Sequence, residues 1–169
     1  ADIFGLSENN ITENSVEFDK LFNGINPSNG AKLTERKCSV ACYDTVFSAP
    51  KSVSIQAILG QDDRIIIAQN NSVRYTISEI EKLACCRVRE GEFYNSNKIR
   101  NTGNILGSEF LHKSSRDLDP LLHTHCEIFN FTYDKESGNY KALQNGEIYR
   151  NLEFLSRIYL NKLATELND

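Results

Sequence analysis

Two periodicities divide this chain. Between residues 62 and 84, Ile66, Val73, Ile77, Ile80 and Leu83 recur at spacings of seven, four, three and three, which predicts one long helix with a core-facing stripe. After Ala84 the period shortens. The runs "CCRVREGEFYN", "GNILGSEFLHKSS", "HTHCEIFNFTYD" and "GNYKALQ" read as strands, and "KESGN" supplies a hairpin turn before the last of them. A final stretch, "NLEFLSRIYLNKLATEL", returns to helical spacing and places Leu152, Leu155, Ile158, Tyr159 and Leu163 on one side.

Upstream of residue 62 the pattern is more broken. "FDKLFNG" fits a short helix closed by Gly24, and "INPSNGAKLTERK" is a turn-rich connection. "CSVACYDTVFS" mixes β-branched and aromatic residues into a strand that stops at Pro50. "SAPKSVSIQAIL" predicts a helix with Ser48 as N-cap, Pro50 in its first turn and Gly60 at its end. The fold class these elements predict is α+β, an antiparallel β-sheet flanked by helices.

Composition narrows the class. A length of 169 residues with 40% hydrophobic content suits one domain with a sizeable core. No run approaches the roughly 18 apolar residues of a membrane span, so no membrane partner is expected. "ADIFGLSENN" has neither the basic nor the apolar region of a secretion signal, and the chain contains no Met, which reads as a fragment of a longer protein. Five cysteines without a CxxC pair read as reduced thiols in a cytoplasmic protein; a zinc site on Cys38 and Cys42 is the weaker alternative. The net charge of −4 disfavours a purely electrostatic nucleic-acid binder, so a nucleic-acid role needs a local site.

That site is suggested by the histidines, of which the chain has three, all between residues 112 and 125. Strand alternation puts His123 and His125 on one face and Thr124 on the other. His112 ends the preceding strand, and a short return through "KSSRDLDPLL" can bring it opposite the pair. Three imidazoles without a fourth protein ligand would leave coordination positions open, as catalytic sites do. The pattern alone leaves two readings, a metal site or polar residues on a wet strand face. Asp44 and Asp119 are candidates to hold the distal N–H of a ligand histidine, and Asp119 serves equally as a turn residue before Pro120.

The stretches "YDTVFSAPKSVSI" (43–55) and "FLHKSSRDLDPLLHTHCEIFNF" (110–131) resemble, in order and spacing, the relaxase domain of the conjugative relaxase-helicase family, three-histidine HUH endonucleases. A weaker similarity extends on both sides, so the resemblance implies a single relaxase-like domain over 1–169 as a core fragment. It implies a palm-like antiparallel sheet, a divalent metal (Mg, Mn or Zn) on His112, His123 and His125, and a catalytic role for Asp44 beside them. It implies single-stranded DNA at a plasmid transfer origin as partner, with a helicase domain in the parent protein. The implied reaction is strand transfer: a tyrosine attacks the scissile phosphodiester, becomes linked to the 5′ phosphate and releases a 3′ hydroxyl. In that family the nucleophilic tyrosines lie near the N-terminus, whereas this chain has none before Tyr43, which matches a structural aromatic. The alternative is a catalytically incomplete homologue that only holds metal and single-stranded DNA. Lys51 and Arg116 are candidate DNA-phosphate contacts, weighed against a helix that packs behind the site and a solvated turn charge.

Overall fold

The computed structural model describes residues 15–34, 39–89 and 97–168. The segment upstream of Ser15, Cys38 and much of "CCRVREGEFYN" lie outside them. Helix α1 (Val16–Phe22) starts at Ser15, whose hydroxyl accepts from the Phe18 amide at 3.2 Å. Then come β1 (Cys42–Ser48), α2 (Lys51–Ile58), α3 (Asp63–Lys82), β2 (Cys85–Arg89) and β3 (Asn97–Asn101). The chain continues through β4 (Gly107–Ser114), β5 (Pro120–Phe129), β6 (Thr132–Asp134), β7 (Asn139–Lys141), α4 (Gly146–Arg150) and α5 (Leu152–Glu166).

The central sheet among the described residues is antiparallel, in the order β1-β5-β4. β2 pairs with β3 and β6 with β7 as separate antiparallel pairs. Along β5, Leu122, Thr124, Cys126 and Ile128 are buried while His123, His125 and Glu127 are only partly covered, a strict two-residue alternation. The buried side joins Phe47 of β1 and residues of α2, α3, α4 and α5 in the main core. On the other side a smaller aromatic cluster of Phe18, Leu21, Phe129 and Phe131, with Phe110 packed against it, covers one end of the sheet. Among the described residues the histidine end carries no such cover. Gly107 permits the close start of β4, because a Cβ there would stand 2.7 Å from the Glu127 carbonyl oxygen.

The α+β expectation holds, with local corrections. Ser48 is no N-cap: β1 runs on through it, and Pro50 precedes α2 without a side-chain cap. The deepest face of α3 contains Gln69, Ser72 and Thr76 with Ile65, Val73 and Ile80, while Ile66, Ile77 and Leu83 are only partly buried beside the core. Ser72 and Thr76 are tolerated because each hydroxyl donates to the carbonyl one turn back, at 2.7 and 2.8 Å. The C-terminal helix α5 opens at Asn151 as expected, but the short α4 ahead of it was not expected, and Leu152 is 42% exposed rather than on the packed side.

Candidate metal centre

His112 and His123 are direct cross-strand partners, and His125 lies two residues along β5 on the same face. All three ring-centre separations are 5.2 Å. A metal–nitrogen bond of about 2.1 Å, plus roughly 1.1 Å to the ring centre, opened at a tetrahedral angle, separates imidazole centres by about 5.2 Å. The triangle therefore has the dimensions of a three-imidazole site. Among the described residues no group of three His, Cys, Asp or Glu side chains is placed so as to hold a metal ion as it stands. What the histidines share is face, register and equal spacing.

His123 and His125 each have their outer nitrogen fixed. His123 Nδ1 lies 3.0 Å from the Leu121 carbonyl oxygen, so it carries the proton and donates it, leaving Nε2 as the lone-pair nitrogen. His125 Nδ1 lies 3.0 and 2.9 Å from the two oxygens of Asp44 and donates to them. This contact is diagonal across the β1–β5 pair: Asp44 opposes Glu127, and His125 opposes Val46. Asp44 thus reaches a histidine across the sheet, as expected of a carboxylate that holds a ligand's distal N–H.

The β4–β5 turn sets how His112 meets the pair. Ser115 N–H donates to the Asp119 carbonyl at 2.9 Å, and the Ser115 hydroxyl accepts from the amides of Asp117 and Asp119, each at 3.2 Å. Leu118 takes a left-handed backbone (φ 62°) at the exposed tip. Asp119 serves this turn and the Lys51 ammonium at 3.6 Å rather than a histidine. Lys51 also donates to the Pro120 carbonyl at 3.0 Å, which ties the first turn of α2 to the start of β5. Arg116 is exposed in the turn. Tyr43 faces away from the histidines and packs against the main core.

Register also brings Val46, Ser48 and Glu127 to the histidine face, residues the sequence reading did not assign to it. Counting by twos from Asp44 along "DTVFS" was the available signal. Cys42 lies on the same face, with its thiol pushed up to about 11 by burial first and then by the charges of Glu127 and Asp44. It stays protonated and is a poor metal ligand. Cys126, behind the sheet, is raised further by burial.

The whole chain, residues 1–169, matches the family model described as TrwC relaxase. It is 38% identical over 122 residues to the multifunctional conjugation protein TraI of Escherichia coli (strain K12), covering 72% of this chain and 7% of that protein. A metal-bound structure of the conjugative relaxase TrwC in complex with oriT DNA superposes with a TM-score of 0.87 at 33% identity, over 99% of this chain and 57% of that one. TrwC complexed with a 27-mer DNA comprising the recognition hairpin and the cleavage site gives 0.86 at 35% identity, over 99% and 59%. The chain spans under two thirds of these relatives' length. With the family match running from end to end, the chain belongs to the TrwC relaxase family.

Proposed function

We propose that this chain forms the phosphate-holding part of a metal-dependent DNA strand transferase, acting on single-stranded DNA at a plasmid transfer origin. The observation that carries this reading is the equilateral triangle of His112, His123 and His125, with Asp44 holding the outer nitrogen of His125. The metal and oriT DNA named for TrwC structures support the same ligands here. Nitrogen donors favour Mn²⁺ or Zn²⁺ over Mg²⁺, which prefers oxygen. A bound divalent ion supplies positive charge for a non-bridging phosphate oxygen as the phosphorus becomes five-coordinate.

The residues divide the remaining tasks. The neutral imidazoles bring no charge of their own, so the full cationic charge reaches the phosphate. Leu121 and Asp44 fix the orientation of two rings in advance, which avoids reorganisation when the strand arrives. Arg116, exposed at the turn, contacts the backbone phosphates. Lys51 first clamps Pro120 and, with about half its side chain exposed, adds a second phosphate contact. The reaction is placed in the cytoplasm, which suits the free thiols of Cys42, Cys85, Cys86 and Cys126. No helix of the described residues is long and apolar enough to cross a membrane.

A second reading, a module that holds metal and single-stranded DNA without cutting it, is favoured by one observation. Neither β4 nor β5 carries a tyrosine, and the only one on β1, Tyr43, faces the core side. Calorimetric titration of Mn²⁺ tests the shared claim: one site in the wild type and none in His123→Ala. Incubating the metal-loaded chain with transfer-origin single strands separates the readings. A covalent adduct on a denaturing gel, formed by this chain or when a tyrosine-bearing segment is supplied in trans, favours the transferase; strand binding without adduct in either case favours the module.

A further inference from the structure

Directly behind the histidines lies a polar network that no step above uses. Gln69 of α3 is fully buried, at a helix position where an apolar residue would pack without desolvation cost. Its amide is completely engaged. Nε2 donates to the Phe47 carbonyl on β1 at 3.1 Å and to the Thr124 hydroxyl on β5 at 3.3 Å, while Oε1 accepts from the Tyr159 hydroxyl of α5 at 2.7 Å. Phe47 and Thr124 are direct cross-strand partners, and Thr124 is the residue between His123 and His125. One amide therefore pins the strand carrying Asp44 to the strand carrying two of the histidines, from the face opposite the site.

A second peg stands two residues earlier. The Ser54 hydroxyl, also fully buried, accepts from the Leu122 amide at 3.0 Å and donates to the Pro50 carbonyl at 3.1 Å. The Leu122 carbonyl in turn accepts from the Ala49 amide at 2.9 Å. Both backbone groups of the residue before His123 are thus held by the segment 49–54. The backbone ladder sets the register of β1 on β5, but apolar packing, having no direction, would leave that pair free to shift slightly on the helices behind it. Hydrogen bonds at defined angles remove that freedom.

We propose that Gln69 and Ser54 are positioning residues for the histidine triangle, fixing the β1–β5 pair on the helices behind it so that His123 and His125 keep their spacing and His125 keeps its contact with Asp44. The inference rests on the metal-site reading given above. A buried network that served stability alone would change melting without changing the ligand geometry; a positioning network changes both.

The test compares the wild-type chain with Gln69→Leu, Thr124→Val and Ser54→Ala, using Thr76→Val as control. Thr76 is buried on the same helix, but its hydroxyl bonds only back to Ser72, within α3. Mn²⁺ affinity is read by calorimetry, ligand geometry by the visible bands of the Co²⁺-loaded chain, and stability by melting temperature. The expected result is an affinity loss of about fivefold with shifted Co²⁺ bands in Gln69→Leu, and smaller losses in the two hydroxyl variants. Thr76→Val melts earlier but keeps wild-type affinity and spectrum. Thr124→Val and Ser54→Ala keep the test available if Gln69→Leu does not fold. Unchanged affinity and spectrum in the network variants that fold would overturn the proposal while leaving the metal site standing; a wild type that binds no metal would overturn both.

Discussion

Replacing Asp44 by Asn removes a charge and leaves the shape. In the native chain both carboxylate oxygens lie within 3.0 Å of His125 Nδ1, so the ring's outer proton is held by a full negative charge. That charge draws the proton outward and makes the opposite nitrogen a better donor to a metal. Removing such a partner costs about 10- to 100-fold in metal affinity. Here the Asp44 and His125 side chains are 46% and 32% exposed, and water screens the interaction, which places the effect at the low end. The expected loss is about tenfold, or about 1.4 kcal/mol. A half-exposed pair contributes under about 1 kcal/mol to folding, so melting should move by no more than about 4 °C. Mn²⁺ titration by calorimetry, alongside thermal melts, gives both numbers. Equal affinity in wild type and Asp44→Asn would refute the argument and reduce the contact to a surface ion pair.

Alanine at His112, His123 or His125 should each abolish tight metal binding, because two imidazoles no longer define the site; retention of wild-type affinity in any one variant removes that residue from the ligand set. Asp134 is buried on Lys141 at 2.7 Å, with Ser137 and Arg100 as further partners, and the Lys141 bond leads in holding its carboxyl well below the usual carboxylate range. With the folded value lowered, its contribution is complete above the unfolded value of about 3.9 and is lost only as pH falls below that. Asp134→Asn should therefore be less stable at neutral pH, by about 3 kcal/mol, and lose less further stability below pH ~4 in urea melts; parallel wild-type and variant curves would contradict this. Leu122→Ala should cost about 3 kcal/mol in urea unfolding, since the side chain is fully buried beside His123, and a loss below about 1 kcal/mol would show that the site collapses around the cavity.

The candidate metal site was more legible in the sequence than the scaffold that supports it. Two-residue alternation in "HTH" puts His123 and His125 on one face, whereas the place of His112 opposite them depends on a register shift between His112 and Ser114 that spacing alone does not fix. Asp44 was harder, because its reach to His125 depends on β1 lying next to β5, a long-range pairing that no local pattern encodes. The family resemblance pointed to it. Ser48 was misread because a Ser two residues before Pro looks like a cap, whereas cross-strand pairing with His123 carries β1 through that position. Gln69 was invisible to a hydrophobic pattern. Its burial depends on partners on β1, β5 and α5, and only their assembly makes a buried amide stable there. The short α4 was not read either, because five residues are too few to show a helical period.

The central claim is that His112, His123 and His125 jointly hold one divalent ion. Anomalous diffraction from crystals of the Mn²⁺- or Zn²⁺-loaded chain tests it most directly. The account predicts a single strong peak on the histidine face, bonded at about 2.0–2.2 Å by one nitrogen from each ring, with Asp44 still on His125 Nδ1 and no closer to the metal. A peak held by fewer than three of these rings, or by Asp44 in place of His125, would contradict it.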